Sequence, residues 1–279
     1  MTEVLHYAAF TTDGVGGNPA GVVLDATGLT EAQMLAVAAE VGYSETAFVL
    51  PGDGESRPIR YFSPQAEVAF CGHATIATAV ALADRDGCGP LRFDTPAGPV
   101  AVLTEASPTG VTATLTSPPA SSRPATAAEI DALLASFGWK RDQLDGGWPV
   151  HVAFAGNTHP VLAVAARETL ADFDYDFDAL AAVMADAGWG TVHVFWPRGP
   201  AEFDVRNAFP PGGVREDPAT GAAAAAFGGY LRALGRLAVG DRVVLHQGED
   251  MGRPSRLVVA LDPASDGVRV TGTAAPIPA

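Results

Sequence analysis

Lysine is almost missing from this chain: Lys140 is the one example, the other basic residues are arginines, and 17 bases face 32 acids for a net charge of −15. A surface that acidic repels phosphate backbones and anionic membranes, so nucleic-acid and membrane-surface binding are excluded as function classes. Cysteine is nearly as scarce. Cys71 and Cys88 are the two present, too few for a disulfide framework, and the chain reads as a reduced, cytoplasmic protein. The six histidines are scattered, with no His-x-x-x-His or Cys-x-x-Cys pair, so no structural zinc site and no metal is expected. No apolar run reaches the roughly 18–20 residues that a membrane span needs. Residues 1–7 lack a basic stretch followed by an apolar one, so no signal peptide is expected. A Gly-x-Ser-x-Gly nucleophile elbow and a strand-to-helix Gly-x-Gly-x-x-Gly are also missing, which leaves serine-hydrolase and dinucleotide chemistry without support.

What is present is a globular composition, 48% hydrophobic and 18% charged over 279 residues, a length comfortable for two domains. Residues 4–10 and 20–24 read as strands around the Gly16-Gly17-Asn18-Pro19 turn. Thr30 reads as the N-cap of a helix with Met34, Leu35, Ala38 and Val41 at helical spacing up to Gly42. Strands follow at 46–50 and 59–62. Residues 74–83 are apolar almost all round, the mark of a helix buried on nearly every face. The Pro- and Ser-rich stretch 116–126 reads as a linker, 127–137 as an amphipathic helix, and 151–155, 161–165, 192–196 and 203–207 as strands. Residues 221–234, with an unbroken alanine run at 222–226, make a second helix apolar on nearly all sides.

The two halves echo one another. Gly17-Asn18-Pro19-Ala20-Gly21-Val22 returns as Gly156-Asn157-Thr158-His159-Pro160-Val161, and Arg60-Tyr61-Phe62-Ser63-Pro64 returns as Arg206-Asn207-Ala208-Phe209-Pro210. Each copy runs turn, strands, Arg-containing strand, Pro loop, buried helix, which points to duplication. If the halves face each other, the starts of the two buried helices, at Cys71-Gly72-His73-Ala74-Thr75 and Asp217-Pro218-Ala219-Thr220-Gly221, meet in one cleft. Each start offers up to four unpaired N–H groups and about half a positive charge, a natural carboxylate site even in an acidic protein. Gly72 and Gly221 let a ligand approach the backbone.

Five ordered motifs carry a family resemblance: Gly17-Asn18-Pro19, Ser44-Glu45-Thr46-Ala47-Phe48, the Cys71–Thr75 run, Glu216-Asp217-Pro218-Ala219-Thr220-Gly221, and Gly248-Glu249-Asp250-Met251-Gly252-Arg253-Pro254-Ser255. Together they resemble the PhzF-like family of phenazine-biosynthesis proteins over nearly the whole chain. The resemblance implies the diaminopimelate-epimerase-like fold. That is an α+β architecture of two pseudo-symmetric lobes, each a curled, mostly antiparallel sheet around a buried central helix. The lobes would be 1–118 and 119–267, with a last strand near 268–279 crossing back to the first. It further implies a cofactor-independent isomerase or epimerase of a small carboxylate, working as a homodimer.

By that resemblance Glu45 is the general acid/base, moving a proton between two carbons as the phenazine enzyme does in trans-2,3-dihydro-3-hydroxyanthranilate; a solvated glutamate at a strand start is the alternative. His73 would hydrogen-bond the substrate, or else cap its helix. Asp217 would orient a substrate amine or hydroxyl, or serve as helix N-cap with Pro218 at the first helical position. Asn18, Gly72, Thr75, Gly221 and Ala222 are the substrate-binding candidates. Diaminopimelate epimerase and proline racemase use one cysteine per lobe; Cys71 sits near the place of the first, but the matching position of the second half reads as Pro218. Cys71 is then a small buried residue, or a second acid/base that would make a Glu/Cys epimerase. A non-catalytic relative binding a small acid or a protein stays open. The phenazine enzyme has serine where this chain has Ala222 and alanine where it has Cys71, so the expected substrate differs from the phenazine precursor.

Overall fold

Two compact units organise the chain in the computed structural model, which describes residues 2–52, 56–108 and 110–278. Unit 1 comprises Met1–Thr116 with Thr271–Ala279, and unit 2 comprises Ser117–Val270. Both mix strands with a few helices. Unit 1 runs β1 (Leu5–Ala9), β2 (Asn18–Val23), α1 (Glu31–Val41), β3 (Thr46–Val49), β4 (Arg57–Phe62), β5 (Glu67–Val68), α2 (Gly72–Asp86), β6 (Pro90–Thr95), β7 (Gly98–Ser107) and β8 (Gly110–Thr116). Unit 2 runs β9 (Ser121–Pro124), α3 (Ala127–Phe137), β10 (His151–Phe154), β11 (Thr158–Ala163), α4 (Arg167–Ala171), α5 (Phe177–Ala187), β12 (Val192–Gly199), β13 (Glu202–Ala208), α6 (Gly221–Ala233), β14 (Val243–Gln247), β15 (Ser255–Leu261) and β16 (Val268–Pro276). The last strand passes from unit 2 into unit 1 at residue 271.

In unit 1 the strand order is β1-β2-β3-β4-β6-β7-β8-β16, and β16 pairs back onto β1 through Tyr7↔Pro276, Ala8↔Ala275 and Ala9↔Ala274. The sheet therefore closes on itself, leaving no open edge at that seam. It wraps α2, in which every residue from 73 to 83 is buried. That helix carries no polar face. Its two central hydroxyls are silenced locally, Thr75 Oγ1 donating to the Cys71 carbonyl at 2.6 Å and Thr78 Oγ1 to that of Ala74 at 2.7 Å. The Thr30 capping box with Gln33 and the left-handed Gly42 end α1 where the sequence signals place them. Gly17, at φ +75°, is required because a Cβ there would lie 2.6 Å from the Ala9 carbonyl oxygen.

Unit 2 repeats the order of pairings. β10-β11, β12-β13 and β14-β15 are antiparallel, as are β1-β2, β3-β4 and β6-β7; β11-β12 and β13-β14 are parallel, as are β2-β3 and β4-β6. The stretch expected as a linker holds β9, which pairs antiparallel with β10. Its Pro124 is tolerated because β9 is a terminal strand of the order. At the centre lies α6, and its residues 223–231 are buried. Gly228 and Gly229 let neighbouring chain come close: a Cβ on Gly228 would sit 2.6 Å from Val268 Cγ1, and one on Gly229 would sit 2.9 Å from Ala120 Cβ. Leu133, Phe137, Leu180, Met184 and Trp189 close a second cluster beneath α3 and α5.

Gly228 offers a test of that packing. In an exposed helix Gly→Ala gains about 1 kcal/mol, whereas overfilling a packed site costs about 1–3 kcal/mol. Gly228→Ala is expected to lower stability by about 1 kcal/mol in urea denaturation, and a stabilised variant would show that the site has slack.

Candidate active site

Glu45 occupies the loop before β3, and its carbonyl accepts the Gly21 N–H at 3.2 Å, which fixes the loop against β2. Gly21 admits this approach because a Cβ there would lie 2.6 Å from Thr46 Oγ1. The Glu45 carboxylate reaches His73, with Oε2 3.4 Å from Nε2, and the two side chains are only 14% and 7% exposed. Cys71 supplies the third member. Its Sγ is 3.3 Å from His73 Nδ1 and 3.8 Å from Nε2, and Ser44 Oγ lies 3.4 Å from Nε2.

The start of α2 sets this arrangement. Cys71 is the N-cap, extended at φ −140° and ψ 115°, and its side chain makes no cap hydrogen bond. Gly72 and His73 follow as the first two helical residues, so the imidazole stands on the turn where unpaired N–H groups and the positive end of the dipole are found. Thr75 is fully buried. Because its hydroxyl donates to the Cys71 carbonyl, the Tyr61 hydroxyl must donate to Thr75 Oγ1, 2.6 Å away. Thr75 thus pins the turn that carries Cys71. Asn18 opens β2, is buried and stands opposite Ala9 in the ladder. One cluster therefore gathers Glu45, Cys71 and His73, three groups able to hold a proton or a metal, within 4.8 Å of one another.

The second unit builds its helix start differently from the sequence expectation. Asp217 and Pro218 are not N-cap and first helical residue: α6 begins at Gly221, with Thr220 as N-cap. Gln247 explains the shift. Its Oε1 accepts the Thr220 N–H at 3.1 Å, while its Nε2 donates to the Asp217 carbonyl at 2.6 Å and to Thr220 Oγ1 at 3.0 Å. Those bonds hold residues 217–220 outside the helix, with Thr220 extended, and the Thr220 hydroxyl then donates to Asp217 Oδ2 at 2.7 Å. Cys71 and Thr220 are the N-caps of the two buried helices, and Pro218 lies two residues ahead of the second. Gly221 is buried and Ala222, half-buried, takes the helical place of His73. Gly248, at φ +73°, is also required here, because a Cβ would lie 2.8 Å from the Pro218 carbonyl oxygen. Sequence reasoning missed Gln247, whose one signal is its place immediately before the Gly248-Glu249-Asp250 motif.

The model of the phenazine biosynthesis-like family matches residues 7–278. The chain belongs to this family. An uncharacterised isomerase, YddE, of Escherichia coli K12 is 33% identical, covering 98% of this chain and 95% of its own. The trans-2,3-dihydro-3-hydroxyanthranilate isomerase of Pseudomonas fluorescens is 31% identical over 88% of this chain and 86% of its own. The solved structure of a predicted epimerase from Pseudomonas aeruginosa superimposes with a TM-score of 0.87 at 27% identity, covering 100% of this chain and 98% of that one. This family member is an isomerase of a small molecule. No helix among the described residues is long and apolar enough to cross a membrane.

One further polar cluster of unit 2 escaped the sequence reading. Thr191 N–H donates to His159 Nδ1 at 3.2 Å, which places the His159 proton on Nε2. His193 Nδ1 and Thr191 Oγ1 both meet Asn207 Oδ1 at 3.2 Å. The Nε2 atoms of His159 and His193 and Nδ2 of Asn207 are buried without a hydrogen-bond partner among the described residues. Burial pushes His159 down to about 4 and His193 down to about 3. The unfolded histidines, near 6.5, therefore take up protons that the folded chain refuses. Stability contributed by the neutral pair is complete above about pH 6.5 and is lost as pH falls toward 4, on the order of 3 kcal/mol for His159 at about 1.4 kcal/mol per pKa unit. Denaturant midpoints measured between pH 7.5 and 4.5 should fall steeply in the wild type and less steeply in His159→Gln. Equal slopes would refute the assignment.

Proposed function

We propose that the chain is a cofactor-independent isomerase or epimerase in which Glu45 moves a proton at a carbon beside a substrate carboxylate. The observation that carries this reading is the contact of 3.4 Å between Glu45, in the loop before β3, and His73, on the first turn of α2, both side chains nearly buried. A substrate carboxylate fits the N–H groups of that turn, since Cys71 caps none of them with its side chain. Glu45 takes the proton from carbon and returns it to a second carbon on the face that it lines; inversion of a single carbon would need a second acid opposite Glu45. His73 holds the carboxylate of Glu45 in place between the two transfers and hydrogen-bonds the substrate. Surroundings poor in water favour both transfers, because the proton is not lost to solvent.

Unit 2 has an anion-binding feature of its own in the first turn of α6, with Gly221 and Ala222, and Asp217 is proposed to orient a substrate amine or hydroxyl. Action as a homodimer is part of the same proposal and is supported by the family resemblance. The reaction named for the Pseudomonas fluorescens relative supports the reaction class. Ala222 and Cys71 depart from the phenazine pattern, so the proposed substrate is a small carboxylate other than the phenazine precursor.

A second reading has an observation of its own. Cys71 Sγ lies 3.3 Å from His73 Nδ1, so the thiol shares a proton-exchange partner with Glu45 and a Glu/Cys pair could epimerise one carbon.

Solvent exchange separates the two. Wild-type chain in D₂O with a panel of cyclic and amino carboxylates, trans-2,3-dihydro-3-hydroxyanthranilate among them, should place deuterium on carbon, read by mass. Glu45→Gln should reduce the rate by at least about 100-fold, the lower range for general acid/base catalysis. Exchange that survives in Glu45→Gln but dies in Cys71→Ala would favour the Glu/Cys pair. Unchanged exchange in both variants would overturn both readings.

A further inference from the structure

We propose that Gln247 is a positioning residue: acting through Thr220 it fixes the Asp217 carboxylate, and so makes the site selective for a small carboxylate that also bears an amine or hydroxyl. The selectivity half rests on the role proposed for Asp217, whereas the positioning half stands on geometry alone. Gln247 is 1% exposed and is the last residue of β14, where it pairs with Val205 of β13 on one side and Ser255 of β15 on the other. A residue laced into the ladder from both sides has its Cα fixed. The turn that follows is fastened too. The carbonyl of left-handed Gly248 accepts the Arg253 N–H at 2.9 Å, and Ser255 Oγ donates to the Arg253 carbonyl at 3.0 Å. The run from Gly248 to Ser255, which the proposed chemistry does not otherwise use, is thus the turn that anchors Gln247.

The amide then dictates where the protons lie. Oε1 accepts the Thr220 N–H, and the two Nε2 protons go to the Asp217 carbonyl and to Thr220 Oγ1. Turned over, the amide would set Nε2 against the Thr220 N–H and Oε1 against a carbonyl oxygen, so one orientation alone satisfies it. Because Thr220 Oγ1 accepts from Gln247, its single proton is directed at Asp217 Oδ2, 2.7 Å away. The backbone of Asp217 is held on both sides as well, its N–H on the Asn207 carbonyl at 3.1 Å and its own carbonyl on Gln247. Main chain and carboxylate are therefore both fixed, although residue 217 lies in no helix or strand. An ionised carboxylate accepts and does not donate, so the ligand group that meets Asp217 is a donor, an amine or a hydroxyl. Gln247 supplies the preorganisation of that contact, since a misplacement of about 1 Å costs on the order of 100-fold in rate.

Crystal structures of the wild type and of Gln247→Met, which is close in length but makes none of the three bonds, test the positioning half without substrate. In the variant the Asp217 carboxylate should move by more than about 1 Å or lose its bond to Thr220 Oγ1; an unmoved Asp217 would overturn that half. Thr220→Val serves as a second variant should the methionine form fold poorly, and Thr220→Ser should restore the wild-type position. Solvent exchange reads the selectivity. Each amino or hydroxy carboxylate that the wild type exchanges in D₂O is measured beside its analogue with hydrogen in place of the amine or hydroxyl. The ratio of kcat/KM within the pair should fall at least about tenfold in Gln247→Met and in Asp217→Asn alike, and should be retained in Thr220→Ser. A Gln247 that only supports the fold would slow both members of the pair equally, and an unchanged ratio in Gln247→Met would overturn the selectivity half. Wild-type exchange on no member of the panel would remove the catalytic reading and the selectivity half together, and the crystal structures would still decide the positioning half.

Discussion

A helix wrapped by sheet has no face to show to water, and that constraint organises each unit of this protein. All residues from 73 to 83 of α2 and from 223 to 231 of α6 are buried. Beyond His73 the side chains there are mostly small or apolar, and buried hydroxyls find carbonyl acceptors, those of Thr75 and Thr78 on their own helix and that of Tyr230 on Pro149. The backbone cannot be satisfied in the same way at the N-terminus, where the first N–H groups lack intrahelical acceptors. Each buried helix therefore concentrates its polar demand at one end, and there the chain places its chemistry-bearing groups: Glu45, Cys71 and His73 in unit 1, and Asp217, Thr220 and Gln247 in unit 2.

The two helix starts meet that demand in different ways. In unit 2 the Gln247 amide spans Asp217 and Thr220, and the Thr220 hydroxyl binds Asp217, so the approach to α6 is fastened from within. In unit 1 the Cys71 side chain does not cap α2, and the titratable groups gather beside the turn instead. A fastened start is suited to orienting a ligand; a start ringed by a carboxylate, an imidazole and a thiol is suited to moving protons.

Legibility in the sequence followed the range of the interactions involved. The buried helices were readable because all-round apolarity is visible in a single segment, and α1 was readable because Thr30, Gln33 and Gly42 act within a turn of its ends. Glu45, His73 and Cys71 were singled out through motifs, although nothing local says that residues 45 and 71–73 touch. Asp217 was misplaced as an N-cap because the competing partner, Gln247, lies on another strand. Strand β9 reads as linker in the sequence because its strand character comes from pairing with β10 and not from composition. His159 and His193 gave no signal at all. A histidine inside a strand looks the same whether it faces solvent or is fully buried, as these two are.

The central claim is that a small carboxylate binds on the first turn of α2 with its reacting carbon against Glu45. A crystal structure of the chain with a carboxylate that it exchanges tests this most directly. The account predicts carboxylate oxygens on the N–H groups of residues 72–74 and the reacting carbon about 3–3.5 Å from a Glu45 oxygen. A ligand seated away from that turn, with Glu45 beyond about 8 Å of the exchanging carbon, would contradict it, because acid/base transfer needs near hydrogen-bond reach.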